Sequence, residues 1–95
     1  MGKPKTQPAR GDFMPQRLAE ARKRRGWSQM ELSFRVREYT RGEVKADPSQ
    51  LSRYELWPKK PGVSRVPGAD ILGALCAVLE CSADYLLNLT DKEKP

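Results

Sequence analysis

The run Arg24-Arg25-Gly26-Trp27-Ser28-Gln29-Met30-Glu31-Leu32 holds one helix end and one helix start within nine residues. Gly26 is the residue expected in the left-handed cap of a helix that has just stopped. Lys23, Arg24 and Arg25 precede it and complement a helix C-terminal dipole. Ser28 and Glu31 then make the S-x-x-E spacing of a capping box, with Trp27 and Leu32 in the hydrophobic-staple positions. The run therefore ends a first helix and starts a second, and this helix start is the strongest local signal in the sequence.

The rest of the chain supplies matching signals. Met14, Leu18 and Ala21 recur at spacings of four and three, which predicts a first amphipathic helix starting near Met14. Leu32, Val36 and Tyr39 form the expected buried stripe of helix 2, and Ser33 is small enough for a close helix crossing. Asp47-Pro48, an acid at the cap and proline at the first helical position, starts helix 3 at about residues 48–56, with Gln50 three beyond the cap. Leu51 and Tyr54 are expected inward, and Ser49, Ser52 and Arg53 outward. Residues 69–80 are nearly apolar all round, which predicts a helix at the centre of the bundle. Ser82 caps a fifth helix over residues 83–88, whose Leu86 and Leu87 close the core. Residues 1–13 are read as a flexible basic arm and 90–95 as a charged tail. Five short helices with no plausible strand make the fold all-α.

Composition narrows the function. The 95 residues make one domain, and a hydrophobic content of 38% allows only a small core. No stretch approaches the roughly 20 apolar residues of a membrane span, and the first residues lack the apolar run of a secretory signal, so a cytoplasmic location with no membrane partner is expected. The net charge is +6, and residues 1–25 carry all of the excess, with eight basic side chains against two acidic ones. Such a block suggests a polyanionic partner; simple solubility explains it as readily. Cys76 and Cys81 lie five apart, about 7.5 Å of helical rise, beyond the roughly 7 Å reach of a disulfide, and are read as buried thiols. With no histidine, no further cysteine, no glycine-rich phosphate loop and no clustered carboxylates, neither a metal nor a cofactor site nor an enzyme is expected.

Three blocks in order, LAEARKRRGWSQMEL, LSRYE and VPGADILGALCAVLECSADYLLN, resemble the helix-turn-helix family of phage Cro and repressor proteins. The resemblance covers roughly residues 14–89. Its most specific parts are the S-Q-x-E-L start of helix 2 and the P-x-x-x-x-L-x-x-L-x-x-x-L-x-x-S-x-D-x-L-L ending. It implies a compact five-helix bundle of the lambda-repressor-like type, with helix 3 in the DNA major groove and helix 2 crossing the backbone. Gln29 matches the family's phosphate-binding glutamine at the start of helix 2. Pro48, Ser49, Ser52 and Arg53 match the outward positions that meet bases or flanking phosphates, Arg53 being suited to a bidentate contact with guanine. Lys59 and Lys60 match a backbone-binding region approximately. Arg22 and Glu55 match a pair that ties helix 1 to helix 3 by a structural salt bridge.

The implied function is sequence-specific binding of double-stranded DNA by a transcriptional regulator, repressor-like, as a homodimer and without a small-molecule effector. The stretch from Arg37 to Ala46 departs from the family, being longer than its roughly four-residue turn. Arg37, Arg41 and Lys45 there either add phosphate contacts or stand off in a solvated loop. A second reading stays open, a protein-interaction module on the same fold, antitoxin-like or adaptor-like, using exposed Phe34 and Leu56.

Overall fold

The run around Gly26 does what its residues dictate. In a computed structural model, which describes residues 11–56, 62 and 65–93, helix α1 spans Pro15–Arg24 and α2 spans Gln29–Tyr39. Gly26 sits at φ +73° and its N–H donates to the Lys23 carbonyl at 2.9 Å, while Trp27 N–H reaches the Arg22 carbonyl at 3.3 Å. These two bonds form the paired C-terminal closure that a left-handed residue permits. Ser28 Oγ then accepts from Glu31 N–H at 3.0 Å. The other half of the expected capping box is not made, because the Glu31 carboxylate accepts from Arg35 Nε at 2.9 Å instead. A charged donor one turn ahead outcompetes the backbone N–H behind it.

Helix α3 spans Pro48–Tyr54, α4 Ala69–Leu79 and α5 Ala83–Leu86, so five helices and no strand are found among the described residues. Asp47 is the N-cap of α3, and its N–H donates to Gln50 Oε1 at 3.0 Å. Ser82 Oγ caps α5 by accepting from Tyr85 N–H at 3.0 Å. The last helix is shorter than expected: Leu87 leaves it, and Asn88 takes φ +60°.

Leu18, Leu32, Val36, Leu51, Leu75, Leu79 and Leu86 form the fully buried centre. Helix α2 packs against α3 and α4, and α5 joins α1 to α4. Three expectations need correction. Phe13, placed in the flexible arm, is a buried core residue, and Gly11 and Met14 donate backbone hydrogen bonds to Leu87 and Leu86. The packed helical unit therefore includes residues 11–13, and residues 1–10 of the expected arm lie outside the described residues. Helix α4, expected at the centre, lies at the surface: Ala74, Leu75 and Leu79 are buried, Gly73 and Ala77 are exposed, and Val78 is half-buried. Tyr39, expected in the α2 stripe, is 62% exposed, because α2 presents only Leu32 and Val36 inward.

The cysteines show how a helix end changes an inference from spacing. Helix α4 stops at Leu79, Glu80 adopts φ +53°, and Cys81 N–H turns back to the Cys76 carbonyl at 3.1 Å. The thiols thus meet instead of diverging along a continuous helix. Their mutual hydrogen bond lowers the Cys76 pKa and raises that of Cys81, burial adding to the latter. Cys81 is buried and Cys76 half-buried.

The stretch between α2 and α3 folds as an ordered turn. Thr40 Oγ1 accepts from Val44 N–H and donates to the Val36 carbonyl, each at 3.0 Å. Arg41 at φ +54° and Gly42 at φ +84° reverse the chain, and Gly42 N–H closes on the Arg37 carbonyl at 2.8 Å. Val44 packs on the core and Ala46 is buried, so the longer turn is anchored by its own apolar residues. No helix among the described residues is long and apolar enough to cross a membrane.

Candidate nucleic-acid interface

Helix α3 has an inner face of Leu51 and Tyr54, both buried, and an outer face of Pro48, Ser49, Ser52 and Arg53, all exposed. That division follows from the 3.6-residue period acting on a seven-residue helix with two apolar side chains on one side. Arg53 makes no side-chain hydrogen bond or ion pair among the described residues, so its guanidinium is available to an external acceptor. Lys59 and Lys60, together with most of the loop before Pro67, lie outside the described residues.

The Arg22–Glu55 pair ties α1 to the end of α3. Arg22 Nε donates to Glu55 Oε2 and its Nη2 to Oε1, both at 2.8 Å, a two-pronged contact between two buried side chains. Arg22 Nη1 also donates to the Trp27 carbonyl at 2.7 Å. The hydrogen bond to Glu55 holds the Arg22 pKa above its ordinary value, against the opposing effect of burial. Gln29 joins this network, its Nε2 donating to Glu55 Oε1 at 3.0 Å. The side chain expected to reach a phosphate is therefore committed inward, at the first residue of α2, whose N–H has no acceptor within its own helix.

The charge distribution differs from the expectation drawn from the N-terminal block. Arg17 donates to the Tyr85 and Thr90 carbonyls at 2.7 Å, pairs with Asp91 at 3.0 Å and lies over the Tyr85 ring. Arg22 is buried, Arg24 pairs with Glu93, and Arg25 pairs with Glu80 at 3.4 Å. Four arginines of the block thus hold the fold and the end of the chain together. The cations with no side-chain partner among the described residues include Arg37, Arg41, Lys45 and Arg53. Arg37 and Lys45, with Ser33, Ala46 and Asp47, line a cleft of about 230 Å³ where α2 and α3 meet. Of the two readings for the longer turn, the solvated stand-off loop does not hold for its backbone, which is packed down beside the start of α3.

A larger cleft, about 690 Å³, lies elsewhere, among Ala21, Arg24, Arg25, Trp27 and Glu93. Trp27 itself is half-buried, with Arg35 4.3 Å and Arg25 5.5 Å from its ring centre, so it packs within the protein. Tyr54 is buried, and its pKa is raised first by burial and then by Asp70. No group of three or more potential metal-ligating side chains occurs among the described residues. Comparison with protein-family models, characterised proteins and solved structures gave no match.

Sequence reasoning missed the internal roles of Gln29 and Arg35. The four-residue spacing from Glu31 to Arg35 is a signal that identifies the latter pair. The contact from Gln29 to Glu55 joins residues 26 apart and has no local signal.

Proposed function

We propose that this chain binds double-stranded DNA in a sequence-dependent way, as a helix-turn-helix regulator of the lambda-repressor-like type acting as a dimer. The observation that carries the reading is the split character of α3: a buried inner face, a rigid tie to α1 through Arg22 and Glu55, and an exposed outer face of Pro48, Ser49, Ser52 and Arg53. A helix that enters the major groove needs such a fixed base, because a bidentate contact fails when its side chain is misaimed. Arg53 would read a guanine edge, Ser49 and Ser52 would meet bases or phosphates, and Pro48 would make an apolar contact. Arg37 and Lys45 would hold the flanking phosphate, with the N-terminus of α2 at Gln29 on a second one.

Selection from a random duplex library at near-physiological salt tests this reading. An enriched inverted repeat with half-sites about 34 Å apart is the expected result for a dimer. Arg53→Ala is expected to lose about 1–3 kcal/mol of discrimination at one base pair. Arg37→Ala and Lys45→Ala should weaken all sequences alike, each reducing the log–log salt slope by about 0.9. Background binding with no enriched sequence would refute the proposal.

A further inference from the structure

Phe34 and Tyr39 are large apolar side chains left in solvent, at 56% and 62% exposure. Both belong to α2, and with Trp27, Ala77 and Val78 they line a groove of about 410 Å³ between α2 and α4. Arg35 and Glu38 complete its rim. Arg35 is held in place by Glu31 and by stacking on Trp27, whereas the exposed Glu38 carboxylate has no ion pair among the described residues. On α4, exposed Ala77 is small, and one turn earlier Gly73 is also exposed, with nothing within 4 Å of where a Cβ would stand. A partner backbone can therefore approach closely.

The order of these residues along α2 selects the occupant. Phe34, Glu38, Arg35 and Tyr39 fall across about 140° of one helix face. Leu32 and Val36 turn to the core, next to the Tyr39 edge of this face, and Arg37, at the α3 cleft, lies outside it. When two copies of a helix pack antiparallel about a two-fold axis, residues equidistant from one midpoint meet each other. The midpoint of Phe34 and Tyr39 falls between Val36 and Arg37, and so does the midpoint of Arg35 and Glu38. One axis therefore brings aromatic to aromatic and cation to anion at the same time. An unrelated partner would require no such mirror relation.

We propose that this face is a homodimer contact, with two α2 helices crossing antiparallel between Val36 and Arg37. Phe34 packs on the partner's Tyr39, and Arg35 pairs with the partner's Glu38. The two-fold repeats each contact, so every substitution acts twice. The contact concerns the protein alone and does not rest on the DNA reading. It places the dimer on the α2–α4 face, away from α5 and from Leu89, the exposed apolar residue that follows it.

Sedimentation equilibrium of the full chain without DNA tests it. A monomer–dimer equilibrium is expected, and Phe34→Ala should raise its dissociation constant about 30-fold, as loss of an aromatic anchor does. Ala77→Arg adds bulk at an exposed helical site, so the fold should persist by circular dichroism while the dimer is lost. Glu38→Arg should weaken the dimer about tenfold, and Arg35→Glu with Glu38→Arg should restore it to within about threefold. A monomer at every accessible concentration overturns the proposal. So does a dimer indifferent to Phe34→Ala and Ala77→Arg, or one that only Leu89→Asp disrupts. Failure of the charge exchange to rescue overturns the stated register. DNA selection is read separately, so a monomer that still enriches a sequence sinks the interface and spares the DNA reading.

Discussion

Removing Glu55 should destabilise this protein strongly, because its carboxylate makes the buried tie between α1 and the end of α3. The Arg22 and Glu55 side chains are only 10% and 6% exposed, and they share two hydrogen bonds of 2.8 Å. Glu55→Ala would leave a buried guanidinium with the Trp27 carbonyl as its remaining acceptor, and would free the Gln29 amide. Breaking a buried pair by deleting one partner typically costs about 3–5 kcal/mol, against about 0–1 kcal/mol for an exposed pair. A chain of this length has roughly 5–14 kcal/mol in total, so the loss is a large share. The expected fall in melting temperature is at least about 12 °C. Urea unfolding followed by far-ultraviolet circular dichroism supplies the free energies, provided the slope with denaturant is unchanged. The decisive variant is the double replacement Arg22→Met with Glu55→Met, which removes both charges. It should be less destabilised than the sum of its parts by up to about 3 kcal/mol, because no buried charge is left alone. A loss below about 1 kcal/mol in Glu55→Ala, or single effects that simply add, would show that the pair is solvated in solution and the reasoning wrong.

Two further outcomes follow from the same geometry. The Tyr54 pKa is raised in the folded state by burial and by Asp70, so folding favours the neutral phenol. Its contribution is fully present below the unfolded value of about 10 and is lost as the pH rises through the folded value. Tyr54→Phe should therefore flatten the fall in stability above pH about 10, measured by urea midpoints across alkaline pH, and an unchanged profile would count against the shift. Gly26→Ala should cost about 1–2 kcal/mol from backbone strain alone, since φ is +73° and nothing lies within 4 Å of the added methyl. A neutral result in thermal unfolding would mean that the α1–α2 corner relaxes.

Helix starts and stops were legible because their chemistry is local. Ser28, Asp47 and Ser82 mark the N-caps of α2, α3 and α5, and Gly26 takes the left-handed conformation its position requires. Each involves groups within a few residues along the chain, so the sequence itself contains both partners. The outward face of α3 and the Arg22–Glu55 pair were legible for different reasons, the first from helical period and the second from a family resemblance. Period alone also misled: the apolar run of α4 implied a central helix, yet Gly73 and Ala77 face solvent.

What the residues alone determined is an all-helical chain, the N-caps of α2, α3 and α5, the stop at Gly26 and the inner faces of α1 and α3, because hydrogen-bond capping and side-chain period act over one or two turns. The tertiary structure alone decided which charges are free. Four arginines of the basic N-terminal block meet Tyr85, Asp91, Glu55, Glu93 and Glu80, partners 33 to 74 positions away, whereas Arg53 and the turn cations meet none among the described residues. It also turned Cys81 back onto Cys76, drew Gln29 inward to Glu55 and buried Phe13. Coulombic and packing contacts depend on distance in space, and distance in space is set only when the helices pack.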